Sequence, residues 1–85
     1  MKYTTKNIDI MLENINEQYK KSNDNYEKML LENRWKELQT RTIINSYLYY
    51  GNSKKEFKEN CYQCSIGLDI NKLWQEQREI MGNMD

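Results

Sequence analysis

The chain has no histidine and no proline, only two cysteines and three glycines in 85 residues, and its thirteen Lys and Arg are cancelled by thirteen Asp and Glu. Each shortage excludes something. Without histidine the commonest general base and metal ligand is missing, and no Ser or Cys stands beside a recognisable activating partner. Gly51, Gly67 and Gly82 stand singly, so there is no glycine-rich loop to cradle a phosphate. No apolar run approaches the roughly 20 residues that span a bilayer, and the opening stretch from Met1 to Asn7 leads into no secretory apolar block. A net charge of zero sets up no long-range field toward nucleic acid or anionic lipid. These absences predict a cytoplasmic, non-catalytic protein with no cofactor, no metal, no small-molecule substrate and no membrane association.

The missing proline also removes the strongest obstacle to long helices. With 38% hydrophobic and 12% aromatic residues, periodically spaced, the chain has enough apolar material to fold as a single domain over 1–85. A core this small gives modest stability unless a second copy adds area. The wealth of Asn, Lys, Tyr and Ile reflects A/T-rich codons and points to a low-GC bacterium or one of its phages.

Four helices are predicted, packed as a small all-α bundle. In the first, from about Lys6 to Lys21, Ile8, Met11, Leu12, Ile15 and Tyr19 fall on one face, with Thr4 or Thr5 as its cap and two lysines at its end. Asp24 with Glu27 marks the start of a long second helix, about 24–50. This helix either runs through or breaks near residue 40, where Thr40, Thr42, Ile43 and Ile44 crowd the backbone. Gly51 is placed to end it in a left-handed turn, and Ser53 with Glu56 starts a third helix that carries Phe57, Cys61 and Cys64 and stops at Gly67. Asp69 caps a fourth, whose stripe of Ile70, Leu73, Trp74, Ile80, Met81 and Met84 admits one polar residue, Gln77.

Cys61-Tyr62-Gln63-Cys64 is the one short motif with a chemical reading. A CxxC pair can cycle as a dithiol or supply half of a zinc site. The first wants a helix N-terminus rather than a helix end, and the second needs two further ligands that a chain without histidine lacks. Two small side chains on a buried face is the simpler account.

The second helix has too many apolar residues for one face. Tyr26, Met29, Leu30, Ile44, Tyr47 and Leu48 lie on one side, with Leu31, Trp35, Leu38 and Tyr49 nearly opposite. Either the helix is central and covered twice, or Leu31, Trp35, Leu38 and Tyr49 are a binding stripe with the Trp-rich composition of an interface hot spot. The leading expectation is a protein-interaction module whose partner is another protein or a second copy. One form of it is a small phage or mobile-element inhibitor of a host or defence factor, for example a toxin neutraliser. The alternative is an RNA- or DNA-binding protein that uses Arg34, Lys36, Arg41, Lys54, Lys55 and Lys58 with the nearby aromatics. A third reading is a homodimer built on Leu31, Trp35 and Leu38.

Overall fold

The computed structural model describes residues 3–61 and 66–82. Among them are four helices and no strand: α1 Thr5–Lys21, α2 Asn25–Tyr49, α3 Lys54–Asn60 and α4 Ile70–Gly82. Each start is fixed by an oxygen that takes up a free backbone N–H. The Thr4 hydroxyl accepts from Asn7 at 3.3 Å, the Asp24 carboxylate from Tyr26 at 2.9 Å, the Ser53 hydroxyl from Glu56 at 3.2 Å and the Asp69 carboxylate from Lys72 at 3.2 Å. The end of α2 is equally explicit. Gly51 adopts φ +76°, the Asn52 N–H reaches back to Tyr47 O and the Gly51 N–H to Leu48 O. This double bond pattern needs a left-handed residue at the pivot.

α2 does not break near residue 40. The Thr40 and Thr42 hydroxyls donate to the carbonyls of Lys36 and Leu38, one turn back, at 2.8 and 3.2 Å. The crowded β-branched stretch is thereby absorbed within the helix. The third helix is shorter than its sequence suggests: it ends at Asn60, where Cys61 turns to bond Phe57 O, and so does not reach Gly67. Phe57 is its only buried side chain, too little apolar surface to carry the helix further. Cys61 is half-buried against the core. Cys64 and Met84 lie outside the described residues.

α2 is the spine. α1 runs antiparallel to it, with Thr5 reaching Asn45 and Tyr19 reaching Glu32. α4 runs in the same sense as α2, bringing Ile66 beside Lys36, Gln77 beside Arg41 and Asn45, and Met81 beside Leu48. The apolar interior is divided accordingly. Ile8, Ile15 and Leu38 form one cluster between α1 and the first half of α2, and Ile44, Phe57, Ile70, Leu73 and Trp74 form another between the second half of α2, α3 and α4.

Between the clusters lies a polar layer. The Gln77 amide is fully buried; it donates to Asn45 Oδ1 at 2.6 Å and to the Tyr3 carbonyl at 3.1 Å, and accepts from Arg41 Nη1 at 3.0 Å. Asn45 in turn donates to Thr5 Oγ1 at 3.3 Å. Arg41, 3% exposed, stacks under the Tyr3 ring at 3.7 Å and pairs with Glu76 at 3.3 Å and Glu37 at 3.7 Å. One layer thus ties α1, α2 and α4 together, and Gln77 is the polar member of an otherwise apolar α4 stripe because it faces this layer.

Candidate interaction surface

The second half of α2 is covered on both sides, whereas among the described residues the first half is covered chiefly by α1. α2 has 25 residues and is about 37 Å long at 1.5 Å per residue. α3 and α4, with 7 and 13 residues, span about 10 and 20 Å. They cannot reach its whole length. Of the apolar set that the sequence puts on one face, Ile44, Tyr47 and Leu48 are therefore packed under α3 and α4, while Tyr26, Met29 and Leu30 stay open at 65%, 48% and 49% exposure. Ile66, whose carbonyl takes a hydrogen bond from Lys36 of α2, is also exposed.

Leu31, Trp35 and Leu38 face α1. Leu38 is fully buried, and Leu31 and Trp35 are half-buried against Ile8 and Ile15. Leu31 and Trp35 still reach solvent through a groove of about 220 Å³ between the two helices, lined also by Ile15, Asn16, Tyr19 and Glu32. Tyr49 is separate. It lies fourteen residues beyond Trp35, about 21 Å along the axis, edge-on to Tyr50 at 5.1 Å and largely exposed.

The rim of the groove carries one carboxylate. Tyr19 donates its hydroxyl to Glu32 at 2.9 Å, and Lys28 lies over the Tyr19 ring at 5.4 Å. The hydrogen bond and the charge of Glu32 raise the Tyr19 phenol above its ordinary pKa, so the pair stays protonated at the tyrosine through the neutral range.

The basic residues are dispersed. Arg34 is bonded to Glu37 at 2.5 Å and to the Tyr3 hydroxyl at 3.5 Å. Hydrogen bonding to Tyr3, with the charge of Glu37, raises its guanidinium further above the ordinary value. Lys36 is occupied by the Ile66 carbonyl, and Arg41 lies in the buried layer. Lys54, Lys55 and Lys58 are exposed on α3, and Lys58 bonds Asn71 at 2.9 Å. Lys54 shares with Asn71, Gln75 and Arg78 the edge of a shallow hollow of about 550 Å³ beside the end of α2. Tyr26, Met29, Leu30 and Ile66 were missed as surface residues in the sequence, where the signal was the mismatch between one long helix and two short ones.

The chain matches no family model, no curated protein and no solved structure. Among the described residues, no three of His, Cys, Asp or Glu gather as a metal site, and no helix is long and apolar enough to cross a membrane.

Proposed function

We propose that this chain is a non-catalytic protein-interaction module that receives an apolar side chain of its partner in the α1–α2 groove over Trp35. The supporting observation is the half-buried Trp35 in a groove with apolar side chains from both helices and a single carboxylate on its rim. Aromatic anchors in partly formed pockets carry most of the energy at protein interfaces. A small inhibitor that blocks a host or defence protein sterically is the form of this reading that fits the chain's size and codon bias.

Affinity capture from a low-GC bacterial lysate tests it. The wild-type chain is expected to retain a protein partner, and Trp35→Ala, with its helix content checked by circular dichroism, to bind that partner at least about 30-fold more weakly, the effect of a 2 kcal/mol hot spot. Equal binding by the variant would overturn the assignment of the groove.

The nucleic-acid reading has one favourable feature, the hollow edged by Lys54 and Arg78. The cations on α2 give it little support, since Arg34, Lys36 and Arg41 are engaged within the chain. If the hollow binds single-stranded RNA, affinity should fall steeply between about 50 and 200 mM salt, and Lys54→Ala with Arg78→Ala should flatten that dependence. A fluorescence-anisotropy titration that shows no salt response would exclude it.

A further inference from the structure

We propose that the open face of α2, built from Tyr26, Met29 and Leu30, is where a second copy of this chain packs antiparallel to the first. It is a different surface from the groove over Trp35 and stands separately from it. The first observation is area. The accessible surface of 6096 Å² exceeds by about 700 Å² the roughly 5,400 Å² expected of a compact 10.4 kDa monomer. The radius of gyration, 13.7 Å, is likewise above the about 12 Å expected for a compact chain of this length. A second copy laid on this face would remove part of that excess from each chain.

The second observation is that the face complements itself. From Tyr26 to Asn33 the stripe is about 12 Å long, and a two-fold axis near Leu30 lays it on the same residues of the other copy, as an isologous contact requires. Glu27 and Arg34 lie seven residues apart on one edge of this stripe, two helical turns from each other. In an antiparallel two-fold pair each Glu27 faces Arg34 of the other copy; in a parallel two-fold pair this edge lies on opposite sides of the seam in the two copies and the two charges do not meet. The Arg34 side chain is bonded within the chain to Glu37 and to the Tyr3 hydroxyl but is still 37% exposed, so Glu27 of the other copy would share the guanidinium through its remaining N–H groups. An unrelated partner would not require these opposite charges at matching distances on either side of Leu30.

Sedimentation equilibrium on the full chain tests the proposal. The wild type is expected at twice its 10.4 kDa mass in the high micromolar range, and Leu30→Glu at the single-copy mass with unchanged helix content. Glu27→Arg, at an exposed position in the first turn of α2 and with helix content checked by circular dichroism, should raise the dimer dissociation constant about tenfold, and added salt should do the same to the wild type. A wild type that sediments as one copy at these concentrations, or a Leu30→Glu variant that still pairs, overturns the proposal. Loss of the dimer with capture through Trp35 intact would sink this inference alone, whereas loss of capture with the dimer intact would sink the groove reading alone.

Discussion

Arg41→Ala is expected to destabilise the fold by about 3 to 5 kcal/mol, the usual result of removing one member of a buried charge network. For a chain of 85 residues, total stability is of order 4 to 13 kcal/mol, so the variant should approach the unfolding threshold at physiological temperature. The physical reason lies in what is left behind. Glu37 and Glu76 are 28% and 32% exposed and can turn to water. Gln77 is fully buried, and its carbonyl loses its donor with nothing to replace it. The Tyr3 ring, stacked on the guanidinium at 3.7 Å, loses its support as well. The Arg41 Nε is already buried without a hydrogen-bond partner among the described residues, so the layer is not ideally satisfied even in the native chain. Replacing the layer as a set, with Arg41→Met, Gln77→Leu and Asn45→Leu, should recover most of the loss. Urea denaturation followed by circular dichroism measures both, and a cost below about 1 kcal/mol for Arg41→Ala would show that the layer contributes little.

Phe57→Ala should cost a similar 3 to 5 kcal/mol but act locally. Phe57 meets the Tyr47 ring edge-on at 5.4 Å and the Trp74 ring at 5.9 Å, and is fully buried. Truncation leaves a cavity between three elements. It also removes the sole buried anchor of α3, whose 7 residues are far fewer than the roughly 12 to 15 an isolated helix needs. α3 is therefore expected to unravel while α1 and α2 stay folded. In a Trp35→Phe background the remaining indole, Trp74, should shift its emission to the red as water reaches it. An unshifted spectrum would mean that the neighbours close over the gap.

The helix starts were legible because a cap is a local device: Thr4, Asp24, Ser53 and Asp69 each bond a backbone N–H two or three residues away. The left-handed turn at Gly51 is equally local. The continuity of α2 was harder, since β-branched residues weaken a helix on average and only the hydroxyl bonds of Thr40 and Thr42 show how the strain is relieved. Which apolar face stays open was not legible from periodicity, because Met29 and Leu48 belong to the same stripe and differ only in whether α3 and α4 extend that far. Arg41 shows the same limit. Its neighbour one turn back, Glu37, looks like half of a solvated pair, while the groups that bury it, Gln77 and the Tyr3 ring, are 36 and 38 residues away along the chain. The one sequence clue was Gln77 itself, an amide in an apolar stripe, which must find polar company when buried.

The division of the interior by the Arg41, Asn45 and Gln77 layer bears on how the molecule comes apart. α1 and α4 each pack chiefly on α2, and among the described residues their apolar clusters do not merge, so the two ends of the spine need not lose protection together. Amide hydrogen exchange should resolve two cooperative units, one comprising α1 with the first half of α2 and the other α4 with the second half. The unit with the smaller cluster, Ile8, Ile15 and Leu38, should open first, carrying with it the α1–α2 groove.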